Sequence, residues 1–335
     1  MEFYKNNTFY KEVLVVLTIE QLNFILIVKL EKKSSKIVII LIFLAGLSLL
    51  LYPLVANQWN NYRQSRLISE YESVVKDESR KGTINYEKEW ERANAYNQSL
   101  LPSILPDSFA IAAASDKPGE EYMSCLNILT DEMMGYVEVP KINIKIPIFH
   151  TTSEEVLSKG AGHLEGSSLP VGGENTHSVI SAHRGLPSAS LFTDLDQLED
   201  GDHFLIRVLD QTLCYEVDQI HIVEPENTSD LAVEPGQDLV TLLTCTPYAV
   251  NTKRLLVRGH RVPYEEETIE KEEKESPMSL YTNYLLWVVV GLAVTAVLII
   301  SLWQYDKRYK RKRKEKQAAA GGAPKDASDR KEEER

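Results

Sequence analysis

The sequence predicts a mostly β domain, an antiparallel barrel or sandwich, held between two membrane-spanning helices. Three observations carry this expectation. From Gly135 onward, short β-type runs recur between Gly, Pro and Asn/Asp clusters. Two uncharged apolar runs, residues 37–56 and 284–303, each reach the roughly 20 residues that a helix needs to cross a bilayer. Between the first of them and the strands lies a polar, helix-prone stretch.

Residues 1–36 read as a cytoplasmic segment, and 37–56 as the first span. The stretch 13–28 is apolar but short and broken by Glu20 and Gln21, which suits a third span poorly. No small-residue cleavage signal follows Ala56, so the first span is expected to remain as an anchor. Residues 57–134 are expected to form external helices and a loop: Trp59, Tyr62, Leu67, Tyr71 and Val74 fall at near-helical spacing, and Pro102 and Pro106 then interrupt it. Residues 135–264 form the β domain, with strand runs at 136–139, 142–148, 178–182, 203–208, 212–217, 219–223, 239–244 and 254–257. Residues 265–283 begin with seven Glu and two Lys within 265–275 and read as a solvated linker. The second span, 284–303, has Tyr or Trp at both ends, as interfacial anchoring predicts, and 304–335 is a basic tail.

Cations set the orientation. Lys29, Lys32, Lys33 and Lys36 precede the first span, and a dense basic run from Lys307 to Lys316 follows the second. Both termini are therefore expected in the cytoplasm and residues 57–279 outside. With +2 on residues 1–36 and +5 on residues 304–335, the total of −12 leaves −19 on that external part. Such a domain repels phosphates, which argues against a nucleic-acid partner.

Three cysteines, Cys125, Cys214 and Cys245, show neither CxxC nor metal-finger spacing. A strand run ends on Cys245, a loop with Pro247 follows, and the next strand run opens with Arg254. A thiol at a strand end beside a cation can ionise and still be reached. By pattern alone, a packed structural cysteine beside a turn is the commoner arrangement. His183 sits where another strand run gives way to a Gly/Pro loop, placed for general acid–base work or for a structural hydrogen bond. Cys214 alternates along a strand run and reads as packed, whereas Cys125 reads as the more exposed. His150, His163 and His177 lack metal-ligand spacing and read as structural, so no metal is expected.

The stretch TLLTCTPYAVNTKRLLVRG (241–259), with SAHRG (181–185) upstream, resembles the sortases, and among them the pilus-assembling class C enzymes. GYVEVPKINI (135–144), PIFH (147–150), GAGHLEGSSLPVGGENTH (160–177) and LFTDL (191–195) carry the same resemblance, which covers about residues 57–264. It implies an eight-stranded β-barrel with accessory helices and, as substrate, an LPXTG-type sorting signal on a pilin or surface protein. It implies Cys245 as nucleophile, His183 as general acid and Arg254 as oxyanion or substrate holder. The thioester then passes to a pilin lysine or a cell-wall amine, with no cofactor. Class C enzymes also resemble one another in a lid with an Asp-Pro-aromatic tip, for which Asp107-Ser108-Phe109 is the counterpart here, Ser replacing Pro. Thr151 stands where the family usually has Gly. Anchoring of surface proteins, a water-using cysteine peptidase and a non-catalytic surface scaffold are the alternatives.

Overall fold

The computed structural model describes residues 35–77, 84–100, 118–129, 131–275 and 280–321. The chain divides into two units, Met1–Ser276 and Pro277–Arg335. In the first, helix α1 (Ser35–Lys76) runs without interruption from the apolar segment into the polar one, with Pro53 inside it. Helix α2 (Tyr86–Ser99) starts at Asn85, whose side chain accepts the Lys88 N–H at 3.0 Å, and opens with Glu87 and Glu89 where the helix dipole favours acids. Helix α3 (Glu120–Ser124) is a short turn.

Eight strands then close into a barrel: β1 (Met133–Val139), β2 (Ile144–His150), β3 (Ala161–His163), β4 (Thr176–Ser181), β5 (His203–Val208), β6 (Gln211–Val223), β7 (Asp238–Thr246) and β8 (Lys253–Val262). Their order round the barrel is β1-β2-β3-β4-β7-β8-β6-β5. Closure leaves no open sheet edge. Pairing is antiparallel except at β2–β3 and β4–β7, which are parallel. The fully buried Val137, Ile180, Phe204, Ile206, Leu242 and Val257 belong to the main apolar core. β1 and β5 approach so closely that a Cβ at Gly135 would lie 2.3 Å from the Arg207 carbonyl oxygen, so only glycine fits there.

Several expectations needed revision. The runs at 212–217 and 219–223 are one strand, β6, whose pairing with β8 skips at Asp218. The run at 142–148 begins with a 3-10 turn, Pro140–Ile142, because proline can open such a turn but cannot serve a sheet ladder. Strand β3 was not expected, since its Ala-Gly-His sequence has little β propensity; it forms because β2 and β4 bracket it. The acidic stretch after the barrel is not wholly a linker. Its residues Glu266–Lys274 form helix α5, which packs against the Pro140–Ile142 turn. Ile269, its lone apolar residue, is buried with Leu205 and Cys214. Helix α4 (Glu154–Lys159) joins β2 to β3, capped by Ser153 accepting the Val156 N–H at 3.3 Å.

Helix α1 docks on the barrel through one face. Ile68, Tyr71 and Val74 are buried on it, and the Tyr71 hydroxyl donates to the Met134 carbonyl at 3.0 Å while accepting the Leu209 N–H at 2.7 Å. In the second unit, helix α6 (Leu280–Gly321) is 42 residues long. Both α1 and α6 are long and apolar enough to cross a membrane.

Candidate functional site

Strand β7 is buried almost throughout and ends at Thr246, because Pro247 cannot donate to the ladder. Its penultimate residue, Cys245, is 8% exposed and lies directly opposite Arg254, the second residue of β8, which is 9% exposed. The guanidinium Nη1 donates to the carbonyls of Asn251 at 3.4 Å and Lys253 at 3.2 Å. Directly opposed residues on adjacent strands share a face, so Cys245 and Arg254 project from the same face of the sheet.

His183 joins them from β4. The β4–β7 register runs from Thr176 opposite Asp238 to Ser181 opposite Leu243. Beyond the end of β4 it is continued by the Ala182 N–H to the Leu243 carbonyl at 3.1 Å, and by the Thr244 hydroxyl to the Ala182 carbonyl at 2.8 Å. The next step of the same register sets His183 level with Cys245. His183, Cys245 and Arg254 thus form one row across three neighbouring strand positions. Alternation puts the row on the face of Val179, Leu243 and Leu256, a small apolar cluster apart from the main core of Ile180, Leu242 and Leu255.

Two further groups hold His183, and the sequence reading had picked out neither. Glu154, in the first turn of α4, places Oε1 3.7 Å from His183 Nε2. Burial lowers the pKa of His183, and Glu154 acts against that by raising it. Arg184 is itself buried and turns inward, donating to the Thr193 carbonyl and the Thr246 hydroxyl, each at 3.1 Å, and pairing with Asp196. It ties the loop after His183 to the residue beside Cys245. That loop closes on itself, with the Phe192 N–H reaching the His183 carbonyl at 3.1 Å. Gly185 holds φ +76°, and the Tyr248 ring lies where a side chain there would go. No sequence spacing announces Glu154, since it meets His183 only through the fold. Arg184 was hidden in plain view as the neighbour of a catalytic candidate.

The remaining candidates fall elsewhere. His150, His163 and His177 are buried, and their rings bond to backbone carbonyls: His150 to Glu132 and Cys125, His163 to Ser168, His177 to Ala232. Among the described residues no group of three or more His, Cys, Asp or Glu could hold a metal ion. Cys125 is 1% exposed, which corrects the expectation of an exposed thiol: it packs in the main core with Tyr122 and Leu126. Burial pushes the thiols of Cys125 and Cys214 up, the latter to about 11, so both stay protonated near neutral pH. Asp107 and Phe109 lie outside the described residues.

A family model for the sortase domain matches residues 137–262. Sortase C of Streptococcus pneumoniae is 48% identical, with 59% of this chain and 97% of that chain covered at a TM-score of 0.53. The chain belongs to the sortase family. A pilus-related sortase C of Group B Streptococcus is likewise 48% identical, covering 58% of this chain and 97% of its own, with a TM-score of 0.53. Sortase D of Bacillus subtilis is 32% identical over 136 residues, 40% of this chain and 66% of that protein. Sortases are cysteine transpeptidases of the Gram-positive cell surface that act on proteins bearing an LPXTG motif, and this chain is a transpeptidase of that family. The eight-stranded barrel with N-terminal helices agrees with the expected fold.

Proposed function

We propose that this sortase cleaves an LPXTG-like signal between Thr and Gly and joins the new acyl group to a pilin lysine, building a covalent fibre. The observation that supports this best is the row His183–Cys245–Arg254 across the ends of β4, β7 and β8. In the first half-reaction the Cys245 thiolate attacks the Thr carbonyl carbon, and the C=O electron pair moves onto oxygen. Arg254, permanently charged, stands beside the thiol to stabilise that oxyanion. As the intermediate collapses, the C–N bond breaks, His183 gives its proton to the departing Gly amine, and a thioester remains on Cys245. In the second half-reaction a lysine amine attacks the thioester, loses a proton to His183 and expels the thiolate. The acyl group stays activated throughout without a nucleotide.

Asp107 and Phe109 are proposed as a lid over this row, Asp107 pairing with Arg254 and Phe109 covering the cleft near Cys245. Both termini are placed in the cytoplasm and the barrel outside, on the strength of the flanking cations. A second reading, anchoring of surface proteins to a cell-wall amine, draws on the relative named sortase A in Streptococcus agalactiae, 27% identical over 232 residues. The two readings differ only in the acceptor.

The test is intact-mass analysis of the chain and its Cys245→Ala variant with an LPXTG peptide. A peptide adduct is expected on the native chain alone, passing to an isopeptide product when a lysine-bearing pilin domain is added. Transfer to a cell-wall peptide amine in preference to pilin would favour anchoring. Near-normal turnover by Cys245→Ala would end the proposal.

A further inference from the structure

The apolar run of α1 ends at Ala56, and the next residue touches the catalytic loop. The Asn57 side-chain oxygen accepts the Ser190 N–H at 2.7 Å. Ser190 belongs to loop 182–194, which begins beside His183 and turns at its tip through the Ala189 N–H to the Leu186 carbonyl at 3.3 Å. Above this point α1 stays on the barrel. Asn60 and Gln64 are buried, and Gln64 donates to the Lys159 carbonyl at 3.1 Å, at the end of the helix that carries Glu154. The other side of the same turns faces away. Trp59 is 63% exposed and Tyr62 59%, their rings 6.1 Å apart, and Tyr52 is 57% exposed about two turns below Trp59.

Aromatic residues just past an apolar span settle at the headgroup level, because one part of each ring system is apolar and another is polar. Here they occupy the same short stretch of helix as Asn57. At 1.5 Å per residue, the run 37–56 covers about 30 Å, the thickness of the hydrocarbon core, and Asn57 to Tyr62 covers about 7 Å, a single headgroup layer. Because α1 is one unbroken helix bonded to the barrel, it sets the height of the loop rather than merely tethering it.

We propose that the edge of the barrel formed by loop 182–194 rests in the headgroup layer of the bilayer, so that the His183–Cys245–Arg254 row works at the membrane surface. The occupant of this edge is phospholipid headgroup. Substrate therefore has to present its scissile bond within about one headgroup layer of the membrane. The inference rests on α1 being a membrane span.

Depth-dependent quenching tests it on the full chain in phosphatidylcholine vesicles. In a Cys245→Ala background, with Cys125 and Cys214 buried and unlabelled, a single cysteine carries an NBD fluorophore at one of three positions. Pro187→Cys reports the exposed tip of the loop. Leu49→Cys reports the span. Gln211→Cys, near the Leu209 N–H that Tyr71 holds, reports a level fourteen residues along α1 from Asn57, about 21 Å from the bilayer edge. Ser188→Cys replaces Pro187→Cys if that variant melts early. Headgroup-spin-labelled lipid is expected to quench Pro187→Cys at least three-fold more than Gln211→Cys, while acyl-chain-labelled lipid quenches Leu49→Cys. If Leu49→Cys is quenched but Pro187→Cys matches Gln211→Cys, the loop stands clear of the membrane and the proposal is wrong while the span stands. If Leu49→Cys is not quenched, α1 is not a span and the proposal falls with it.

Discussion

Thr151 holds φ +67°, a left-handed backbone that costs a β-branched residue about 1–2 kcal/mol. The fold gives the reason for this conformation: the chain must turn sharply between β2 and α4, with the Thr151 N–H bonded to the Tyr122 hydroxyl at 3.0 Å. Thr151→Gly is expected to raise stability by up to about 1 kcal/mol, strain relief exceeding the added unfolded-chain entropy. A urea melt of the two proteins measures it, and a lower midpoint for the variant would contradict it. At His183 the charged partner is Glu154 from α4, with Cys245 and Arg254 on the neighbouring strand ends and Arg184 next along the chain. Removing the Glu154 charge leaves the burial that lowers the His183 pKa unopposed. On the proposed mechanism the leaving amine takes its proton from imidazolium, so Glu154→Gln should move the basic limb of the pH–rate profile to lower pH. An unmoved limb would mean that the carboxylate does not tune the histidine.

Helix α5 shows how one residue can turn an acidic tail into a docked element. The Glu272 carboxylate bonds to His203 Nδ1 at 2.6 Å and accepts the His203 N–H at 3.1 Å, while Ile269 enters the core beside Cys214. The bond to Glu272 raises the His203 pKa. A raised folded-state value means that the stabilisation is complete below the ordinary histidine value and is lost as pH rises through the raised one. Hydrogen exchange over residues 266–274 should therefore speed up from pH 6 to pH 8 by more than the intrinsic chemical rate. In Glu272→Gln, exchange should be faster already at pH 6, and the excess pH dependence should disappear. Equal protection in both proteins would assign the docking to Ile269 alone.

The barrel as a whole carries three buried histidines, and that shapes its response to acid. Burial lowers the pKa of His150, His163 and His177, with His163 brought to about 4. The unfolded chain binds these protons first, so stability is full above about pH 6.5 and declines as pH falls toward 4. For His163 alone the shift amounts to about 3 kcal/mol at pH 4. Denaturant melts between pH 7 and pH 4 should show this slope, and His163→Gln should flatten it even though its midpoint at pH 7 is lower. An unchanged slope would move the acid sensitivity to other groups.

The strand runs, the apolar spans and the Cys245 and Arg254 positions could be read from residue pattern, because alternation, span length and strand ends are local properties. The step from Cys245 to Arg254 crosses a single hairpin, so their pairing follows from the loop between them. His183 is different. Only the parallel β4–β7 register, joining segments more than sixty residues apart, sets it level with the thiol. Glu154, Arg184 and Asn57 reach the site through side-chain contacts between elements that no periodicity links. Strand β3 and the docking of α5 likewise depend on neighbours already in place, since neither segment carries enough apolar or β-forming residues to announce itself. By itself the sequence determined which segments are long and apolar enough to cross a bilayer, which form the barrel and which thiol sits at a strand end. The tertiary structure alone decided what surrounds that thiol, because burial, register and long-range hydrogen bonds come into being only when the sheet closes.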